Sequence, residues 1–301
     1  MTNQLAIVFP GQGSQKVGML QELSQTYPQI SATFNEASEV LDYDLWSVVQ
    51  SGPEETLNQT QITQPALLVA SVAMWRVWRE QNPKTIPAFM AGHSLGEYTA
   101  LVCADAIDFR VAVLLVQDRG LFMQEAFAGA SAMVAIVGLD TGIVKQICTQ
   151  ASQEANEILV PANYNSIGQI VLAGQFNAAT KAAELAKTAG AKIAKILPVS
   201  VPSHCELMLP AAEKLRARLA GITINTPKAP VIHNADVACY QDPEQIREAL
   251  VRQLYSPVRW VETIEFMINN GVKTVLECGP GKVLTGLNKR ISLNIEANGI
   301  L

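Results

Sequence analysis

Histidine is rare in this sequence. There are three in 301 residues, so chemistry that needs an imidazole base has a short list of candidates. Cysteine is also sparse, and its five positions, Cys103, Cys148, Cys205, Cys239 and Cys278, are odd in number and show no C-x-x-C spacing. A disulfide framework and a cysteine zinc site are therefore not expected, and a reducing, cytoplasmic compartment fits best. Positive charge is short as well: 22 Lys+Arg stand against 27 Asp+Glu, a formal net charge of -5, which argues against a nucleic-acid binder. Long apolar runs are missing. The longest, Ala66 to Trp75, falls well short of the roughly 20 residues of a membrane helix. No cationic segment precedes an apolar run at the N-terminus, so neither a secretory leader nor a membrane span is expected.

What the sequence does hold is apolar material: 49% of residues are hydrophobic and 16% charged, enough for a large core and too little charge for disorder. The length suits one large domain or two modest ones, at ~100–200 residues each. No internal repeat or low-complexity segment interrupts it.

The chain opens on a strand-like run, Leu5 to Phe9, broken at once by "PGQGSQ". A helix is expected from Pro65 through "PALLVASVAMWRVWRE", with proline in its first turn. The strand "AFMAG", a serine turn, a helix from about Tyr98 to Cys103 and another from about Phe109 to Phe127 follow. Strands alternating with helices predict a mostly parallel sheet covered on both faces. The middle reads differently: strand (Ala132 to Leu139), helix to about residue 154, two strands in "ILVPANYNS" and "GQIVLAG", a helix in "NAATKAAELAKTAG", and a strand in "AKIAKILPV". This β-α-β-β-α-β order is the ferredoxin-like unit. The expected organisation is an α/β large subdomain of residues 1–127 and 199–301 with a ferredoxin-like insert of residues 128–198. Further strands near Val231 and at Thr274 to Cys278 would rejoin the large sheet.

The segment "AGHSLGEYTALV" contains G-x-S-x-G, with Ser94 between Gly92 and Gly96. A tight strand-to-helix turn of this kind lifts a serine hydroxyl out of the backbone, and the N–H of the next residue, Leu95, faces an oxyanion that forms there. Ser94 needs a base. His93 is its neighbour in sequence and is expected to face away. His233, in "PVIHNAD", reads as an edge or loop residue. His204, in "VSVPSHCELM", follows a proline-bent loop suited to display and comes after the serine, the order of α/β-hydrolase-like folds. It is the favoured base. Cys205 beside it is expected to be a buried, inert thiol.

The glycine-rich "FPGQGSQKVGM" fails as a nucleotide loop: Lys16 stands where a third glycine would fall, and no G-K-[ST] follows. A loop at the carboxyl end of a strand suits an oxyanion donor instead, and the backbone N–H of Gln12 is the candidate partner of Leu95. Arg119 is the one charge on the otherwise apolar helical stripe Ala112, Leu115, Val116, Arg119, Phe122, Met123, Ala126. A guanidinium on a buried face needs an anion. The sequence leaves two readings open, an internal ion pair or a fork for a substrate carboxylate.

Together these stretches resemble the malonyl-CoA:acyl-carrier-protein transacylases of bacterial type II fatty-acid synthesis. The similarity runs along essentially the whole chain, through "FPGQGSQ", "TQPAL", "GHSLGEY", "NSIGQ", "VPSHCELM", "RQLYSPVRW" and "GPGKVLTGL" in family order. Ile167, where the family often has proline, is a small departure at a turn. The resemblance implies an α/β-hydrolase-like fold with a ferredoxin-like insert, and a malonyl group moved from coenzyme A to the phosphopantetheine thiol of acyl-carrier protein through a malonyl-serine. It implies Ser94 as nucleophile, His204 as base, Gln12 and Leu95 as oxyanion donors, and Arg119 on the malonyl carboxylate. It further implies that the Gln253 main-chain carbonyl orients the histidine and that Gln64 and Asn165 line the pocket. No resident cofactor or metal is implied; malonyl-CoA is substrate, acyl-carrier protein the partner, and the protein is expected to be a monomer. Lys192, Lys195, Lys289 and Arg290 are candidates for carrier docking. Two other readings remain: a thioesterase passing the acyl group to water, and a non-catalytic module that binds the carrier. A polyketide carrier in place of the fatty-acid one would use the same chemistry.

Overall fold

The computed structural model describes residues 4–197 and 201–301. The opening apolar run forms β1 (Leu5–Phe9). Short helices α1 (Gln21–Thr26), α2 (Pro28–Leu41), α3 (Leu45–Ser51) and α4 (Glu54–Leu57) lead to α5 (Thr60–Gln81). The strand β2 (Phe89–Gly92) turns through Ser94 into α6 (Gly96–Cys103), followed by α7 (Phe109–Glu125). The middle stretch runs β3 (Ser131–Val137), α8 (Thr141–Ala155), β4 (Leu159–Ser166), β5 (Gln169–Gln175), α9 (Phe176–Thr188) and β6 (Ile193–Ile196). After a 3-10 turn at Glu206–Met208 come α10 (Leu209–Ala220), β7 (Val231–His233), β8 (Ala238–Cys239) and α11 (Pro243–Tyr255). The chain then closes with α12 (Trp260–Asn269), β9 (Thr274–Glu277), α13 (Val283–Ile291) and β10 (Glu296–Gly299).

The large sheet has the order β10-β9-β1-β2-β7-β8, parallel except for β8. Successive residues of a strand face opposite sides, and β1 is buried on both. Ile7 and Phe9 join a core with α5, α6 and α7, while Ala6 and Val8 join Trp260, Ile264, Met267, Leu284 and Leu287 of α12 and α13. The doubly covered parallel sheet expected from the sequence is therefore present. The smaller sheet, β4-β5-β3-β6, is antiparallel throughout. One face carries α8 and α9, through Val134, Ile136 and Leu172 against Ile147, Ala179 and Ala182. The other places Met133, Val171 and Ala173 around Cys205. The chain is thus a mixed α/β fold with a parallel sheet and a ferredoxin-like antiparallel one.

Three expectations need correction. Helix α5 begins at Thr60, so Pro65 lies inside it and not in its first turn. The extra turn is held by Thr63, whose hydroxyl donates to Leu57 O at 2.5 Å and Gln59 O at 3.1 Å, and by the close approach of α7 at Gly120. Proline here removes one intrahelical bond, and those contacts offset it. The strand expected over "AKIAKILPV" is shorter, Ile193–Ile196, and its Pro198 and Val199, with the 198/199 boundary, lie outside the described residues. His233 is no edge or loop residue: it ends β7 and is completely buried.

Candidate active site

Register places the site. Phe9 pairs with Gly92, and His93 N–H donates to Phe9 O at 2.9 Å, so the loops leaving β1 and β2 emerge side by side at the carboxyl ends of parallel strands. That is where open α/β sheets bind ligands. The serine turn is as tight as its glycines imply. A Cβ on Gly92 would lie 1.8 Å from Gly96 C, and one on Gly96 2.1 Å from Phe9 O. Between them Ser94 adopts φ 51, the left-handed region. Its N–H donates to Asn234 Oδ1 at 2.7 Å and its carbonyl accepts from Gln253 Nε2 at 2.9 Å. Both sides of the strained residue are held.

His204 arrives from the loop after the small sheet, with φ 64 and its N–H donating to Leu254 O at 3.0 Å. Its Nε2 lies 2.8 Å from Ser94 Oγ and its Nδ1 2.8 Å from the main-chain carbonyl of Gln253. A carbonyl only accepts, so Nδ1 carries the proton and Nε2 is the free base facing the serine. Burial, then the neighbouring Arg119 charge, push the imidazole down to about 3 against the opposing pull of the Gln253 carbonyl. The ring is neutral at physiological pH and ready to take a proton.

Arg119, from α7, is buried. Its Nη1 donates to Gln64 Oε1 at 2.8 Å, and its Nη2 to Gln253 Oε1 at 2.9 Å and to Ser94 Oγ at 3.2 Å. The guanidinium carbon stands 5.2 Å from the centroid of the Tyr98 ring. All three hydrogen-bond partners are neutral, so the direct ion pair left open by the sequence is not formed among the described residues. Three of five N–H donors are engaged. Burial lowers the arginine from its usual value and, as the largest influence, raises Tyr98 to about 12.

Gln12 is exposed in the loop after β1, and Leu95 is buried at the start of α6. Neither backbone N–H has an acceptor among the described residues. A Cβ on Gly11 would come 2.4 Å from His93 O, so the two loops touch. His93 Nε2 donates to Asn165 Oδ1, 2.8 Å away, and its ring leans on Trp260 at 5.6 Å. Asn165 thus meets His93, while Gln64 meets the arginine. Cys205 is buried, with its thiol on Pro202 O at 3.1 Å, and burial raises it to about 11. Lys192, just before β6, Lys195 on β6, and Lys289 and Arg290 on α13 are all exposed, and Arg290 reaches Gln169 Oε1 at 2.7 Å.

The sequence reading missed Glu97, His233 and Asn234. They form a buried cluster under the serine turn: Glu97 Oε1 lies 2.7 Å from His233 Nδ1, and Glu97 Oε2 accepts from Asn234 N–H at 2.8 Å. The signal was an acid inside the apolar helix "GEYTALVC"; its partners lie 136 and 137 residues away.

With the geometry in view, comparison with known proteins is specific. The model of the acyl transferase domain matches residues 6–292. The malonyl CoA-acyl carrier protein transacylase of Escherichia coli K12 is 55% identical, covering 99% of this chain and 96% of its own. The crystal structure of an acyl carrier protein S-malonyltransferase from Vibrio cholerae is 56% identical with a TM-score of 0.94, covering 99% of this chain and 96% of its own. A structure of a type II PKS acyl-carrier protein in complex with its malonyl-transacylase superimposes with a TM-score of 0.95 at 55% identity, covering 98% of this chain and 95% of that one. On these relationships the chain belongs to the malonyl CoA-acyl carrier protein transacylase family.

Proposed function

We propose that the protein moves a malonyl group from coenzyme A to the phosphopantetheine thiol of acyl-carrier protein, with Ser94 as nucleophile and His204 as its base. The observation that carries this reading is the convergence on one hydroxyl: His204 Nε2 at 2.8 Å and Arg119 Nη2 at 3.2 Å from Ser94 Oγ.

In the first half, Ser94 Oγ attacks the malonyl thioester carbon while its proton passes to His204 Nε2. The carbonyl oxygen becomes an oxyanion held by the N–H groups of Leu95 and Gln12. Collapse breaks the C–S bond, and the coenzyme A sulfur leaves with the proton from His204. In the second half the carrier's thiol gives its proton to His204 and attacks the acyl-serine. The C–O bond breaks, and Ser94 Oγ recovers the proton. The Gln253 carbonyl fixes the tautomer throughout, the role a carboxylate takes in a triad. Arg119 holds the free malonyl carboxylate through the donors it has left, and Gln64 fixes its other edge.

The same reading divides the chain into a catalytic part of residues 1–127 and 199–301 and an insert of residues 128–198, supported by the two separate sheets. It places the protein in the cytoplasm, in keeping with five free thiols. Lys192, Lys195, Lys289 and Arg290 are assigned to carrier docking on the strength of their exposed positive charge.

The test is intact-protein mass spectrometry after mixing with malonyl-CoA, beside a Ser94→Ala control. A malonyl adduct on the wild type alone, discharged faster by holo acyl-carrier protein than by water, is the expected result. An adduct lost to water at one rate with or without carrier would make the protein a thioesterase. No adduct on folded protein would remove Ser94 from the chemistry.

A further inference from the structure

Glu97 is a buried acid that the reaction above does not use. It lies in the first turn of α6 with no exposed surface. A carboxylate there is costly unless donors meet it. Oε1 faces His233 Nδ1 at 2.7 Å, and Oε2 accepts from Asn234 N–H at 2.8 Å and Gln253 Nε2 at 2.9 Å. The other ring nitrogen of His233 meets no partner among the described residues, so the imidazole serves Glu97 as a single donor.

Two of these partners lead to the reacting groups. Asn234 accepts the Ser94 N–H and donates to Gly92 O at 2.7 Å. Gln253 Nε2 also donates to Ser94 O, and Gln253 Oε1 accepts from Arg119 Nη2 at 2.9 Å. The Gln253 amide therefore lies between a buried guanidinium and a buried carboxylate, oxygen towards the cation and nitrogen towards the anion. The orientation is fixed by chemistry, since the flipped amide would set NH2 against guanidinium and oxygen against carboxylate.

We propose that Glu97 is a positioning residue: the counter-charge of Arg119, held one amide away with Gln253 as neutral spacer, and the anchor of the two residues that grip the serine turn. This rests on the proposed role of Arg119 and deepens it. A carboxylate placed directly on Arg119 would occupy the fork and compete with the substrate's own carboxylate. A guanidinium with no anion nearby would be desolvated without compensation. An acid one amide removed supports the cation and leaves donors free for the substrate.

The experiment measures the rate of Ser94 acylation by malonyl-CoA and by acetyl-CoA in the full chain, for wild type, Glu97→Gln, Arg119→Ala and the pair combined. The expected result is that Glu97→Gln slows malonyl acylation at least about tenfold more than acetyl acylation, and that this excess vanishes in the Arg119→Ala background, as coupled neighbours require. A second variant exchanges the groups, Glu97→Gln with Gln253→Glu, setting the acid directly on the arginine. It is expected to fold and to lose the preference for malonyl. Equal slowing of both substrates, additivity with Arg119→Ala, or a folded exchange variant that still prefers malonyl would each overturn the proposal. Loss of folding in both variants would assign Glu97 to the scaffold and overturn it too. Failure of malonyl-CoA to label the wild type would sink the transfer reaction itself, an outcome separate from any result at Glu97.

Discussion

Arg119 Nη2 lies 3.2 Å from Ser94 Oγ, the same oxygen that His204 Nε2 meets at 2.8 Å. A cation and a neutral base therefore share one hydroxyl, and among the described residues no carboxylate touches any of the three. The arrangement is complementary to an anionic acyl group whose charge sits a few bonds from the carbonyl under attack.

Replacing Arg119 by alanine should separate the two substrates. A buried charge pair that loses one partner costs about 2–5 kcal/mol, and this is the penalty that the malonyl carboxylate would meet in the variant. The expected loss in kcat/KM for malonyl-CoA is roughly 30- to 4,000-fold, with acetyl-CoA changed far less. Stopped-flow acylation with both thioesters checks this. Arg119→Lys should recover little, because a point charge cannot keep the Gln64 and Gln253 contacts while also serving the substrate.

The depressed His204 has two consequences with opposite practical effects. As a base held down to about 3, it stays unprotonated through mildly acidic pH, so acylation of Ser94 should show no loss near the usual histidine range of about 6.5. Stability behaves differently. The unfolded chain binds a proton near that value while the folded one resists it, so folded-state stability should fall as pH drops below about 6.5. His93 is also lowered by burial and contributes with the same sign. Denaturant midpoints should therefore decrease from pH 7.5 to pH 5, and His204→Gln should flatten that slope. An unchanged slope in the variant would show that His204 is not the group responsible.

The parts of this site legible in the sequence are those whose reasons are local. The apolar run Leu5–Phe9 between polar flanks has one sensible conformation, and it is β1. Gly92 and Gly96 announce a turn where no side chain fits, and an arginine on an apolar helical stripe announces a buried charge. What escaped the sequence depends on distant partners. Pro65 carries the local mark of a helix start, yet contacts with Leu57 and with α7 extend α5 beyond it. His233 looked peripheral because nothing near it in the chain reveals that Glu97, on the helix packed against β7, completes it. A buried acid can be suspected from its apolar surroundings, but its role is set by the donors that tertiary structure brings to it.

The serine turn itself is testable through Gly96. A methyl group there would stand 2.1 Å from Phe9 O and 2.8 Å from Phe9 C, backbone atoms of a central strand that cannot move without breaking its pairing with β2. Gly96→Ala should destabilise the fold by about 3 kcal/mol or more, in the range of severe core overpacking. Urea unfolding followed by circular dichroism measures it. A loss within about 0.5 kcal/mol, the scale of an ordinary surface change, would mean that the turn is looser than its geometry.

Gly120 offers a test at one remove from the chemistry. It follows Arg119 on α7, and a Cβ there would meet Gln61 Cα at 2.7 Å and Thr60 O at 2.8 Å. Those atoms belong to the first turn of α5, the turn that delivers Gln64 to Arg119 Nη1 at 2.8 Å. Gly120→Ala should favour α7 by helix propensity, by about 1 kcal/mol, while forcing the two helices apart where they touch. Overpacking costs typically 1–3 kcal/mol, so net stability should fall modestly and the protein should remain folded. The displacement should act on the arginine, because Gln64 can no longer fix its edge. Malonyl acylation is then expected to slow about tenfold or more, the effect that small misplacements of a positioned group produce, while acetyl acylation follows stability alone. A Gly120→Ala protein that keeps its full malonyl rate would show that α5 yields without moving Gln64, and that the glutamine contact is incidental to the fork.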